Sequence, residues 1–282
     1  MKRGIRFVVL IAAAALALTA IPAAADTGQQ QTYLALGDSY AFAYNPTLNP
    51  TNAANFVGYP DFVAQALDMS LTNAACPGET SGSMISGTPP DNGCHEFYPS
   101  PLPRHVAYAG SQLAFAVNFL RTNKDVKLVT LQIGGNDILR LEAECAGNSA
   151  CISSALPGVE AQMAANLNTI YQALRNQAHY RHAIVEVSYF AFNYNDPSNI
   201  AIVSSLDAVE AAVAMRYHAR VANVLGSFAT ASAPTGIPCF AGLQVVLASG
   251  PPPSCDIHPS IAGHHVYAGA ILGVVPRGEL ED

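Results

Sequence analysis

Tryptophan is absent from this 282-residue chain, and only 12% of its residues are charged. The absence removes the largest aromatic face on which a sugar ring would stack. Lysine and arginine total 13 and form no cluster beyond the N-terminus, which excludes a basic face for nucleic acid. There is no Cys-x-x-Cys pair, so the cysteines lack the spacing of a structural zinc site. No internal repeat and no low-complexity tail is present. Against these gaps stands a hydrophobic content of 50%, enough for a sizeable core.

The chain opens with Lys2, Arg3 and Arg6, then a mostly apolar run over residues 7–21, Pro22 and Ala23-Ala24-Ala25. A basic region, an apolar region and a small-residue site in that order predict a secretory signal peptide over residues 1–25, cleaved after Ala25. The apolar run is short for a spanning anchor, and no cysteine follows it to take a lipid. Losing the three basic residues takes the net charge from −7 to −10. The expectation is a secreted, extracellular, acidic protein with one domain over residues 26–282. It has no membrane span after cleavage and is monomeric. The six cysteines, Cys76, Cys94, Cys145, Cys151, Cys239 and Cys255, are an even set in such a chain and predict three disulfides. They allow 15 connectivities, of which neighbour-to-neighbour pairing is the simplest.

Periodicity supplies the elements. Strands are predicted at the run ending in Gly37 and at residues 71–76, 126–133 and 183–190, with a further one at 243–247. Helices are predicted at 61–67, 111–123, from Val159 through Leu174, and at 260–272. The apolar stripe Ile202, Leu206, Val209, Val213, Tyr217, Val221, Val224 and Phe228 predicts one long helix. Residues 81–103 are dense in Gly, Pro and Ser, and read as a long functional loop pinned by Cys76–Cys94. Alternating strands and helices predict a parallel sheet covered on both faces. In such sheets ligands bind at the carboxyl ends of the strands, and three unusual polar junctions fall there: Ser39, Gly78 and Asn136.

Those junctions suit acyl transfer. A serine at a strand-to-helix turn can be a nucleophile whose own N–H helps to hold the oxyanion it creates. Gly78 offers an unobstructed N–H, and the Asn136 carboxamide offers a third donor. His258 is the candidate base, because an imidazole titrates near neutral pH. Each also has an ordinary reading. Ser39 or Asn136 can be a helix N-cap, and Gly78 and His258-Pro259 can be turns. His258, His264 and His265 lack the acidic partner that zinc would need.

Taken together and in order, Gly37-Asp38-Ser39, Cys76-Pro77-Gly78-Glu79-Thr80, Gly134-Gly135-Asn136-Asp137 and Asp256-Ile257-His258-Pro259 resemble the four blocks of the SGNH (GDSL-type) hydrolase family, in its secreted three-disulfide form. The resemblance implies a flavodoxin-like α/β three-layer sandwich, no metal and no cofactor. It implies Ser39 as nucleophile and His258 as base, with the Ser39 N–H, the Gly78 N–H and the Asn136 side chain forming the oxyanion hole. The family usually places its aspartate three residues before the histidine; here Cys255 stands there and Asp256 is two before. Asp256 orients His258 if the segment is extended; a main-chain carbonyl near Pro253 or Ser254 does so if it is a turn. The implied activity is hydrolysis of small-molecule or lipid esters. An acyltransferase, a carbohydrate acetyl-esterase and a catalytically silent binding module are the alternatives.

Overall fold

The structure is a computed structural model that describes residue 1 and residues 30–280. The expected leader beyond residue 1 and its cleavage site fall outside them. In chain order the elements are β1 (Thr32–Gly37), α1 (Ser39–Phe42), α2 (Tyr59–Leu67), β2 (Ser70–Asn73), α3 (Ser81–Ser86), α4 (Cys94–Phe97), α5 (Gln112–Thr122) and β3 (Val126–Gln132). They continue with α6 (Gly135–Glu144), α7 (Ser149–Gln172), β4 (Ala183–Val187), α8 (Pro197–Arg216), β5 (Arg220–Ala222) and α9 (Val224–Ala231). Last come β6 (Gln244–Ala248), β7 (Ser254–Pro259), α10 (Ile261–Leu272) and α11 (Arg277–Leu280).

Five strands form a parallel sheet in the order β2-β1-β3-β4-β5. Successive side chains of a strand leave on opposite faces, so each central strand feeds two cores. Tyr33, Ala35, Leu128, Val185 and Val187 enter one core, with Phe42, Val63, Phe228 and Tyr267 packed on them. Leu34, Leu36, Val129, Leu131 and Ile184 enter the other, under Leu113, Leu120, Leu167 and Ile170. This is the flavodoxin-like α/β arrangement, and burial on both faces explains why these strands read as continuous apolar runs. The chain runs outward from β1 in both directions, so the sheet's switch point, where a crevice opens, lies between the ends of β1 and β3.

Four of the expected elements differ in the structure. The stripe from Ile202 to Phe228 is not one helix but α8, the edge strand β5 and α9. His218, at φ 55, breaks the helix with a left-handed residue. The three-residue β5 is too short to interrupt the stripe visibly. Residues 81–103 are not all loop: Thr80 caps α3 by accepting from the Ser83 N–H, and α4 carries Cys94. Helices of four to six residues leave too few turns for periodicity to register. Strand β2 ends at Asn73 rather than Cys76. Helix α7 starts at Ser149, well before Val159, and carries Pro157 inside it. The antiparallel pair β6–β7 forms a second small sheet. Disulfides join Cys76 to Cys94, Cys145 to Cys151 and Cys239 to Cys255. By length and composition α8 could cross a membrane, yet it packs on α7 and β5 and carries the buried Glu210.

Candidate active site

The turn after β1 is built on an absent side chain. Gly37 sits at φ 141, opposite Gln132 at the end of β3, and a Cβ there would come 2.1 Å from the Gln132 carbonyl oxygen. Only glycine permits that approach. The chain then turns into α1, whose N-cap is Asp38, not Ser39: the Asp38 carboxylate accepts from the Tyr40 N–H at 3.0 Å. Ser39 is therefore the first helical residue. Its N–H is one of the orphan donors of a helix start and finds no acceptor among the described residues. Asn136 is the second residue of α6, just past the end of β3. Gly78, at φ 83, lies in the turn after β2, and its N–H also finds no acceptor. Its Cβ would fall 2.3 Å from the Asn92 carbonyl oxygen.

His258 arrives from the second sheet. In β7 the chain is extended, so Asp256 and His258 leave on the same side. Asp256 Oδ1 accepts from His258 Nδ1 and, at 3.1 Å, from the His258 main-chain N–H. The carboxylate, not a main-chain carbonyl, is the partner of Nδ1. Burial raises the Asp256 pKa, but the hydrogen bonds and positive charge of His258 outweigh it and hold the carboxyl below its usual range. Tyr40, the residue after Ser39, donates its hydroxyl to the Ile257 carbonyl at 2.7 Å and packs edge-on to the His258 ring. Tyr44 packs on the same ring. The Cys239–Cys255 bond anchors the start of β7.

Ser39, Gly78, Asn136 and His258 meet in one cleft of about 330 Å³, which Tyr44, Asn92, Phe97, Tyr98, Leu102 and Leu139 also line. Ser39 and His258 are each 8% exposed and Asn136 5%. Among the described residues neither Ser39 Oγ, His258 Nε2 nor Asn136 Nδ2 has a hydrogen-bond partner, so all three are free to meet a ligand. A second, apolar pocket opens from the same serine. Ile138, Leu139, Phe190, Phe192, Ile202, Val203 and Leu206 line it, and Ser39 and Asn136 belong to both.

Two supporting residues carry no sequence signal. Gln112 is fully buried, and its carboxamide accepts from the Gly37 N–H at 2.6 Å while donating to the Gly37 carbonyl at 2.9 Å. It also donates to Glu79 at 3.1 Å, which ties the first block to the second. Asn92 donates through Nδ2 to Asn136 Oδ1 at 2.9 Å. Both act across long stretches of chain, so no local pattern marks them. Cys76, Glu79 and Cys94 come close enough for a metal group, but the two sulfurs are bonded to each other.

The sequence of residues 35–266 matches the model of the GDSL-like lipase/acylhydrolase family. The chain belongs to that family. Among solved structures it resembles an extracellular lipase from Streptomyces rimosus, at 19% identity and TM-score 0.58 over 87% of this chain and 100% of that one. It also resembles phospholipase A1 from Streptomyces albidoflavus NA297, at 20% identity and TM-score 0.57 over 86% and 99%. A third neighbour is Axe2, an acetylxylan esterase from Geobacillus stearothermophilus, at 15% identity and TM-score 0.52 over 86% and 93%. At these identities the likeness concerns the fold alone. No curated protein matches the sequence.

Beneath the cleft lies a group of buried carboxyls that repel one another. Burial pushes Asp38 up to about 7, against hydrogen bonds from Tyr189 and the Tyr40 N–H. Burial likewise pushes Asp207 up to about 7 and Glu186 to about 8. Glu210 is raised well above its usual value, first by burial and then by the charge of Glu186, and among the described residues neither of its oxygens has a partner. These folded-state values exceed those of the unfolded chain. The stability they carry is therefore present in full at acid pH and lost as pH rises through 7 to 8. His264, pushed down to about 3 by burial, acts in the opposite sense below neutrality. A paired measurement isolates the acidic group. Glu210→Gln should raise the Tm at pH 8, and the gain should shrink when both proteins are scanned at pH 5. A gain that grows toward acid would refute the assignment.

Proposed function

We propose that this protein is a serine hydrolase of carboxylic esters that works through an acyl-enzyme. The reading is carried by one observation: Ser39, Gly78, Asn136 and His258 line a single cleft, and His258 Nδ1 is held by Asp256. Ser39 Oγ attacks the ester carbonyl carbon while His258 Nε2 takes its proton. Asp256 fixes the tautomer and stabilises the imidazolium. The negative charge moves to the carbonyl oxygen, where the N–H groups of Ser39 and Gly78 and the Asn136 carboxamide receive it. His258 then protonates the departing alkoxide. Water, deprotonated by the same histidine, releases the acid and restores Ser39. A side-chain donor of this kind contributes about 3 kcal/mol to the transition state. Passing the acyl group to an alcohol would use the same steps, so assays should include an added alcohol and score transfer separately.

The two pockets divide the substrate. His258 must reach the leaving oxygen, and it lines the open cleft but not the apolar pocket. The alcohol portion therefore leaves through the cleft, and the acyl chain lies between α6 and α8. That pocket, of about 80 Å³, holds more than an acetyl methyl, which favours acyl chains longer than acetyl over acetylated sugars. The basic start of the chain and the three disulfides support export to an oxidising compartment.

Ser39→Ala should abolish turnover of a short nitrophenyl ester and labelling by a fluorophosphonate, with the melting curve nearly unchanged. Near-wild-type turnover in that variant would overturn the reading. Asp256→Asn should lower kcat by about 10⁴-fold with KM little altered, because the amide fixes the wrong tautomer; a loss under about tenfold would remove Asp256 from the catalytic set. Val203→Trp should fill the apolar pocket. Since one methylene in such a pocket is worth about tenfold or more, kcat/KM for octanoyl esters should fall by at least that factor while acetyl esters stay within about threefold. Equal losses for both chain lengths would place the acyl group elsewhere.

A further inference from the structure

We propose that Asn92 is the positioning residue of the oxyanion hole, setting both donors that lie outside the nucleophile's own turn. The proposal rests on the assignment of Gly78 and Asn136 as oxyanion donors.

The orientation of one amide follows from the next. The Asn136 main-chain carbonyl can only accept a hydrogen bond, and Asn92 Nδ2 reaches it at 3.4 Å. That contact fixes which end of the Asn92 carboxamide faces α6. The same Nδ2 donates to Asn136 Oδ1 at 2.9 Å. Asn136 must therefore turn its oxygen toward Asn92, which leaves its Nδ2 for the cleft. Oxygen and nitrogen of a carboxamide have nearly the same shape, so nothing steric prevents the opposite orientation. That orientation would set a lone pair against the developing oxyanion. The donor at Asn92 selects the productive one.

The main chain of Asn92 serves the other donor. Its N–H bonds the Gly78 carbonyl at 2.8 Å, and its carbonyl lies where a Gly78 side chain would begin. The Gly78 turn, and with it the direction of the Gly78 N–H, is thus pressed against Asn92. The loop itself is held on both sides. Asp91 accepts from the Gly93 N–H at 2.7 Å and pairs with His95 Nδ1 at 2.6 Å. Arg140 of α6 donates to the Asp91 carbonyl at 3.3 Å. The disulfide Cys76–Cys94 closes the loop two residues beyond. Asn92 itself is exposed at the mouth of the cleft, so replacing its side chain leaves the core untouched.

The test is a double-mutant cycle on the full secreted chain with a soluble nitrophenyl ester. Asn92→Leu keeps the size and removes the donor. Asn92→Ala, read in the same cycle, guards against a local effect of the larger side chain. Asn136→Ala should lower kcat by about 100-fold. Each Asn92 variant should lower kcat by about tenfold or more with KM within about threefold. Placed on the Asn136→Ala background, each should change kcat by no more than about threefold, because its effect runs through a group already removed. A loss of equal size in both backgrounds would make Asn92 a structural prop and overturn the proposal, as would no loss in the parent chain. If Asn136→Ala alone keeps parental kcat, the oxyanion assignment fails, and the proposal fails with it for that separate reason.

Discussion

The Gln112 carboxamide holds the two halves of the site in register. Strand β2 pairs with β1 only as far as Ala35, and beyond it the Gly37 carbonyl takes one more main-chain bond, from the Cys76 N–H at 3.0 Å, while the Gly37 N–H makes none. Gln112 supplements that edge, with one hydrogen bond to the Gly37 N–H and one to its carbonyl. Its remaining N–H goes to Glu79, the residue after Gly78. A buried amide with every donor placed is rigid, because each lost bond would leave an unpaired polar group in the core. The turn that carries Ser39 and the turn that carries Gly78 thus share one anchor. Gly37 supplies the other half of the constraint, since its approach to Gln132 sets how close β1 and β3 end.

The electrostatics sort the carboxyls by position. Asp38 lies beside Ser39, but it is buried, caps α1 and takes the Tyr189 hydroxyl. Burial pushes its pKa up to about 7, well above the usual carboxylate range. Asp256 is more exposed and meets a group that can carry positive charge, and its pKa falls. One aspartate is suited to capping and the other to stabilising an imidazolium, though both lie within the same site. Environment, not residue type, makes the difference.

Much of this was legible in the sequence, for identifiable reasons. Strands β1, β3 and β4 are buried on both faces and appear as unbroken apolar runs. The blocks around Ser39, Gly78, Asn136 and His258 are contiguous, so their spacing survives in one dimension. The break between α8 and α9 was hidden because the apolar residues of β5 fall in phase with both helices. Gln112 and Asn92 were invisible for a different reason. Gln112 stands 75 residues from Gly37 and Asn92 stands 44 from Asn136, and an amide that bonds across such distances leaves no mark on its neighbours. Asp256 lay between the two cases. The sequence left an extended segment and a turn both open, and the pairing of β7 with β6 decided for the extended one.

That pairing also bears on how His258, on a separate sheet, is held against Ser39 at the edge of the main one. The β6–β7 pair is fixed at one end by Cys239–Cys255 and along its length by Gln244, whose side chain bonds the Asp256 carbonyl at 3.0 Å. Toward the main sheet the joint is Tyr40, which is buried and bonded to the Ile257 carbonyl. Tyr40 follows Ser39 in the chain, and Ile257 precedes His258. A displacement of β7 away from the main sheet therefore strains a part-buried hydrogen bond at the residues adjoining Ser39 and His258. A site assembled from two sheets would ordinarily suffer from their relative motion, since a 1 Å misplacement can cost about 100-fold in rate. Here the linkage runs through the neighbours of Ser39 and His258, and the packing of Tyr40 and Tyr44 on the His258 ring reinforces the one hydrogen bond between them.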